Sequence, residues 1–371
     1  MQDKFFALII PGGYGILGEQ PEKVLAHTLA NTPGCAGACA FAPDGAFENI
    51  QKEAADCSAI LLIKASACSI APELLADMFG KWLTGGDAAF YPSDGGGGPY
   101  AVFAASRRAD TALIEDFIAG RAAGMATRSC DYNPARTPRE ARLASEKRGR
   151  EIIEVLEDAG VSFVSTDGVV ISPLAKVGRG CLIWPGTVIL GESSVGEGSR
   201  IGPNTLISSS SVGRDCVINS TQVYSSKIED HVEIGPFCHI RPNSHIESGV
   251  HLGDFIEVKN SHIGRNTGAS HLTYIGDADV GENVNFGCGV VTANFDGVNK
   301  GRCVIGDRAF IGCNTNLISP VSVGEDAYIA AGSTIIANVP PGVLAICRAK
   351  ERRDIEGEGA RRNKLRMERK K

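Results

Sequence analysis

Arg241 and Lys259 stand eighteen positions apart, each directly after an aliphatic residue, Ile240 and Val258. If the fold stacks them, two positive charges about 5 Å apart repel by about 3 kcal/mol at an effective dielectric near 20. Such a pair is tolerable with an anion between the cations, which would make a clamp for a phosphate group. A compensating carboxylate is the other solution, and Glu257 is nearby. His271, in GASHLTYIG (268–276), is the residue type that exchanges protons near neutral pH, so it is a candidate general base. A lone histidine also serves purely structural ends. His239, His245 and His251 recur every six residues, a spacing that raises a metal cluster. Asn294, Asp296, Asn299 and Lys300 crowd into TANFDGVNKGRCVIG, a polar loop that should carry them outward, where a site or a subunit contact is expected.

The elements that must position these residues follow from a beat in the sequence. Aliphatics fall about every six residues from Ile171 through Val177, Ile183, Ile189, Val195, Ile201 and Ile207. The step shortens to five at Val212 and the beat runs on to Val258, Ile263, Ala269, Ile275, Val280 and Phe286. After a gap it resumes at Ile305 and continues to Ile335. A period of six fits neither an amphipathic helix nor an alternating strand; it fits a hexapeptide parallel β-helix. Three short rungs make a triangular coil with the aliphatic inside. Residues about eighteen apart then stack at strand spacing, about 4.8 Å. The rod is expected over residues 165–345, with about nine coils. Arg241 and Lys259 fall in one phase and share a face. A six-residue step moves to the next face, so the three histidines diverge and no metal site is expected. His271 replaces neither the inward aliphatic nor the small residue four places after it, and should face outward.

Small residues four places after the aliphatic let each corner close. Thr187, Ser193, Ser199 and Thr205 hold that place, and Cys181, Cys216 and Cys238 hold it elsewhere. These cysteines read as buried, reduced fillers, which suits a reducing cytoplasm. The 12 cysteines include no CxxC pair, so no zinc ribbon is expected.

Residues 1–135 differ. KFFALIIPGG, GACAFA, SAILLIKAS and YAVFAAS read as strands, and APELLADMFGKWL and DTALIEDFIAG as helices between them. That alternation suggests an α/β layer domain. Residues 136–164 read as a linker helix: Thr137 and Glu140 form a capping box, Pro138 sits at the first helical position, and Gly160 follows the end. SDGGGG (93–98) reads as a loop, and 346–371 as a charged tail that turns basic, either a mobile arm or solubilising disorder. A net charge of −6 argues against non-specific nucleic-acid binding. The apolar runs are too short to span a bilayer, and no signal-type leader is read.

IRPNSHIESGVHLGDFIEVKNSHIG, GASHLTYIGD and NFDGVNK resemble the bacterial bifunctional N-acetylglucosamine-1-phosphate uridyltransferase/glucosamine-1-phosphate N-acetyltransferase family, from about Thr137 to Arg348. The resemblance implies a left-handed β-helix in a cytoplasmic homotrimer, with acetyl-transfer sites between subunits. It implies acetyl-CoA as co-substrate and glucosamine 1-phosphate as acceptor, on the route to UDP-N-acetylglucosamine and the cell wall. By position, His271 resembles the base. Arg241 and Lys259 resemble sugar-phosphate ligands, and Tyr274, Asn285 and Asn294 resemble sugar and active-site contacts. Lys300, Cys313, Ala331 and Arg348 resemble coenzyme A contacts. Two positions depart from the family: Phe295 replaces a usual Tyr and Cys313 a common Ser, each removing a hydroxyl.

The first domain resembles a shortened, degenerate nucleotidyltransferase of Rossmann-like type. LIIPGGYGILGEQPEKVLAH keeps Gly12, Gly13, Gly15 and Lys23 but lacks the family's Thr-Arg pair. LLIKASACSIAPELL has no acid where the family holds its metal. Nucleotidyl transfer needs Mg²⁺ and cationic groups, so uridyltransfer is expected to be lost. The alternatives are a bifunctional enzyme that keeps Mg-dependent sugar-1-phosphate uridyltransfer, and a non-catalytic β-helix scaffold.

Overall fold

The computed structural model describes residues 4–11, 19–40, 54, 56–67, 70, 72–92, 99–105, 111–122, 125–129 and 137–348. Gly12, Gly13 and Gly15, the SDGGGG stretch and the tail after Arg348 lie outside them. The chain divides into two compact units, Met1–Val232 and Glu233–Lys371.

The first unit opens with a layered α/β region. Six strands, β1 (Phe5–Ile10), β2 (Cys35–Ala40), β3 (Ala59–Lys64), β4 (Ala88–Tyr91), β5 (Ala101–Ala105) and β6 (Ala126–Ser129), form one sheet in the order β2-β1-β3-β5-β4-β6. β1 pairs in parallel with β2 and β3, and β4 with β6; β5 runs antiparallel to β3 and β4. Strand side chains alternate between faces, and β1 shows it. Phe5, Ala7 and Ile9 pack with Val24, Leu25 and Leu29 of α1 (Pro21–Ala30) and Leu75, Met78 and Phe79 of α2 (Pro72–Gly85). Phe6, Leu8 and Ile10 pack with Ile114 and Phe117 of α3 (Thr111–Ile118). Both faces of the central strands are covered, so β1, β3 and β5 are nearly continuous apolar runs. The region is therefore α/β as expected, though its sheet is mixed. α1, β4 and β6 are additional to the elements read from the sequence. Lys23 lies on α1 and lines a cavity of about 600 Å³ with His27, Leu174, Lys176, Glu192 and Ser194.

Helix α4 (Pro138–Asp158) has the expected cap. Thr137 Oγ1 accepts from Glu140 N at 3.2 Å, and Glu140 Oε2 accepts from Thr137 N at 3.1 Å. The coil begins directly after it. Ser162–Phe163 pairs with Leu182–Ile183, which pairs with Arg200–Ile201, all in parallel. Ile183, Ile189, Ile201 and Ile207 point inward and are fully buried. Thr187, Ser193, Ser199 and Cys181 close the corners, equally buried, and give their hydrogens to backbone carbonyls. A polar atom at a buried corner is thus satisfied locally.

The second unit is a left-handed β-helix as well. His239–Ile240 pairs with Glu257–Val258, an offset of eighteen, and His251–Leu252 with Gly268–Ala269, an offset of seventeen. Asn285–Phe286 pairs with Phe310–Ile311, an offset of twenty-five, because residues 294–302 leave the coil as a loop. The gap in the aliphatic beat is not an empty rung. Thr292 takes the inward place, fully buried, and its hydroxyl accepts from Gly276 N at 2.7 Å and donates to Gly276 O at 2.9 Å. The coil makes about ten turns, against nine counted from the beat, which passes over the rungs of Phe163, Thr292 and Ala345. No helix of the described residues is long and apolar enough to cross a membrane.

Candidate active site

Most rungs are two or three residues long, but His251–Lys259 and Gly268–Gly276 are unbroken strands of nine. They pair in register, with Asp254 opposite His271, Glu257 opposite Tyr274 and Lys259 opposite Gly276. Each runs around one corner of the triangle and along the next face. His271 therefore stands at the corner where that face begins, and Lys259 where it ends. Glu257 and Tyr274 lie between them.

At the end corner Arg241 and Lys259 stack as expected: Arg241 N donates to Val258 O at 2.8 Å, one rung from Lys259. They are not a bare pair. Arg241 Nη1 donates to Glu257 Oε1 at 2.9 Å, and Lys259 Nζ to Asp277 Oδ2 at 3.1 Å. Each cation thus has its own carboxylate, Glu257 from the adjoining face and Asp277 from the next coil, which offsets the repulsion that bare stacking would carry. Asp277 is the hub of this corner. The carboxylate is 7% exposed and also accepts from Asn260 Nδ2 at 2.6 Å and from Asn294 Nδ2. Burial alone would push its carboxyl up; the hydrogen bonds from Asn260, Lys259 and Asn294 and the Lys259 charge more than offset this and hold it below its ordinary value. Asn294 is also 3.4 Å from the Tyr274 hydroxyl. It turns into this network, whereas the sequence suggested that the loop carries it outward. A Cβ at Gly276 would come 2.3 Å from Tyr274 Oη, so the tyrosine ring needs glycine there.

At the start corner His271 is exposed, and its Nδ1 lies 2.8 Å from Asp254 Oδ1. That hydrogen bond holds the Asp254 carboxyl below its ordinary value. An ionised carboxylate only accepts, so Nδ1 carries the hydrogen, and in the neutral ring Nε2 then holds the lone pair. Phe255 and Leu272, next to these two residues, are 54% and 59% exposed and adopt left-handed φ of 59° and 31°. Bulky residues seldom adopt that conformation. The Phe255 ring stacks on Phe237, centroids 5.4 Å apart.

The other sequence candidates sort by corner. Asn285 is exposed on the preceding face, in register with Gly268 and Phe310. Cys313 and Ala331 continue the corner of His271: Gly332 N donates to Cys313 O at 2.8 Å, and Arg348 Nη1 to Ala331 O at 3.0 Å. Lys300 is exposed and bridges the backbone of Phe295, itself 59% exposed. Asp296 takes the backbone N–H groups of Asn299 and Val298, which keeps its carboxyl low, so it shapes the loop. The three histidines diverge: His251 Nδ1 lies 3.2 Å from Glu233, and His245 lies tilted against His262 with centroids 5.2 Å apart. The described residues hold no cluster of metal-ligating side chains. Asp254 and Asp277 went unread in the sequence, yet their spacing shows them: Asp254 is seventeen residues before His271 and Asp277 eighteen after Lys259, one coil in each case.

The pattern described as "Bacterial transferase hexapeptide (six repeats)" matches residues 174–209 and 302–337. Bifunctional protein GlmU of Caldicellulosiruptor saccharolyticus is 52% identical over 192 residues, 52% of this chain and 42% of that protein. Bifunctional protein GlmU of Clostridium perfringens is 54% identical over 200 residues, 54% of this chain and 44% of that protein. The matched segment thus spans less than half of either relative. The solved UDP-N-acetylglucosamine acyltransferase of Francisella novicida covers 54% of this chain and 73% of its own at 20% identity, with a TM-score of 0.29, too low to carry an argument. The C-terminal half of the chain is similar to bifunctional protein GlmU, and its coils are hexapeptide repeats of the bacterial transferase kind.

Proposed function

We propose that the protein is an acyltransferase that moves the acetyl group of acetyl-CoA to the amine of glucosamine 1-phosphate, with His271 as base. The observation that carries this reading is the exposed imidazole whose Nδ1 is held by Asp254 at 2.8 Å. That contact fixes the tautomer and leaves Nε2 able to accept a proton.

The amine nitrogen attacks the thioester carbonyl carbon. Its proton passes to Nε2, the tetrahedral centre collapses, and the coenzyme leaves as its thiolate. A sugar lying along the face between the two corners would meet Glu257 and Tyr274. Its phosphate would take Arg241 and Lys259 from their carboxylates; Arg241 and Glu257, about 40% exposed, are the more open pair. Asn285 and Asn294 add sugar contacts. Cys313, Ala331, Arg348 and Lys300 bind the coenzyme. Phe237, Phe255 and Leu272, all exposed beside the base, support a homotrimer whose sites lie between subunits, because adjoining exposed apolar side chains mark an interaction surface. The setting is UDP-N-acetylglucosamine formation in the cytoplasm, with uridyltransfer lost from the first domain.

Protein, acetyl-CoA and glucosamine 1-phosphate are incubated and the acetylated sugar is measured by mass. His271→Ala is expected to lose about 10²- to 10⁴-fold in turnover, and Lys259→Ala mainly to raise KM for the sugar. Wild-type turnover by His271→Ala overturns the assignment of the base.

A further inference from the structure

The corner of His271 continues through the next coils as Cys288 and Cys313. Phe286 pairs with Ile311, which puts Cys288 opposite Cys313 two residues on, and Asn314 N donates to Cys288 O at 2.8 Å. Ala269 pairs with Phe286 in the same way, which puts His271 opposite Cys288. Both thiols are free and exposed. One coil spacing is about 4.8 Å, inside the Cα separation of about 4.4–6.8 Å that a disulfide needs. Cys313 Sγ lies 2.9 Å from where a Cβ on Gly287 would stand. The sulfur therefore leans back toward the coil that carries Cys288, and residue 287 has no side chain to block it. Cys347, also exposed, shares the corner but has Ala331 between it and Cys313, so two spacings separate them, about 9.6 Å, too far to bridge. Cys181, Cys216 and Cys303 are buried, and burial pushes their thiols up.

We propose that Cys288 and Cys313 form an oxidation site, in which a hydroperoxide converts them to a reversible disulfide that closes the corner beside His271. One thiolate attacks the peroxide oxygen; the O–O bond breaks, and a sulfenic acid and one water (or alcohol) result. The second thiol attacks that sulfur, the S–S bond forms and a second water leaves. Two electrons pass from the sulfurs to the peroxide, and a thiol reductant reverses the change. The loss of activity rests on the acetyltransferase reading, because Cys313 is placed against the coenzyme; the cross-link itself does not.

The full-length protein is treated with hydrogen peroxide, its remaining thiols are alkylated, and the digest is mapped by mass. The expected product is a peptide joining Cys288 to Cys313, lighter by two hydrogens and released by dithiothreitol. Acetyl transfer should fall at least about tenfold with the cross-link and return on reduction. Cys288→Ser should show neither the cross-link nor the oxidant-dependent loss. Cys288 and Cys313 recovered only as alkylated or over-oxidised residues would overturn the site. A cross-link that leaves transfer untouched would overturn the closure. A reduced protein without any transfer refutes the function instead, and the peptide map still decides the disulfide.

Discussion

Asp277 and Asp254 sit at two corners of neighbouring coils in the same repeat, yet their surroundings are opposite. Asp277 is buried and takes hydrogen bonds from Lys259, Asn260 and Asn294. Asp254 is open to solvent and holds one imidazole. Both carboxyls lie below their ordinary value, for different reasons: at Asp277 three donors overcome burial, while at Asp254 one donor acts without it. A buried, fully satisfied network fixes a corner, whereas an exposed pair leaves a reactive atom facing outward. The repeat supplies the same scaffold for both; the depth of the side chain decides between rigidity and chemistry.

Substitutions that separate stability from turnover break or sharpen this contrast. His271→Ala carries the largest effect, about 10²- to 10⁴-fold in kcat, with an unchanged melting temperature. A fall in melting temperature would make the open corner structural as well. Asp277→Ala leaves Lys259 without its carboxylate in a mostly buried place and is expected to cost about 3 kcal/mol, read as a lower denaturant midpoint.

Acid probes the same hub. The Asp277 carboxyl is depressed in the folded state, so its contribution is present above the ordinary carboxylate value, about 3.9. It is lost as pH falls through the lower folded value. The wild type should lose more stability between pH 5 and pH 2 (about the span of the titration) than Asp277→Asn does; equal losses would remove the hub from the account. Asp254→Asn is milder, with kcat lower by about tenfold, less than loss of the base itself, while KM for the sugar and the melting temperature hold. A change in KM alone would make Asp254 a substrate contact. Phe295→Tyr adds the hydroxyl that the resemblance implies at this position and should change KM for acetyl-CoA by no more than about fivefold, as befits one hydrogen bond of about 1 kcal/mol.

The coil was legible because one aliphatic per rung writes its period directly into the sequence, and the α4 cap because Thr137, Pro138 and Glu140 are local signals. β4 and β6 were missed because AAFY and ATRS are short, and pairing with neighbours rather than their own pattern makes them strands. α1 was passed over because its residues were compared with a phosphate loop. The stacking of Arg241 on Lys259 followed from the eighteen-residue offset and Glu257 was a visible partner, but the pairing of Lys259 with Asp277 was not. Spacing tells which residues share a corner; whether a carboxylate there is buried or open depends on the loop folded over it, and Asn294 shows that turn. Thr292 hid an inward rung because a threonine does not look like core until its hydroxyl is seen bonded to the backbone.

The loop at 294–302 leaves the coil and returns to it with the pairing on either side intact: Tyr274 with Val291 before it, and Asp279 with Val304 after it. Its length is therefore uncoupled from the scaffold. Residues can be added to or removed from that excursion without shifting any rung, so what the loop touches can change while the prism stays as it is.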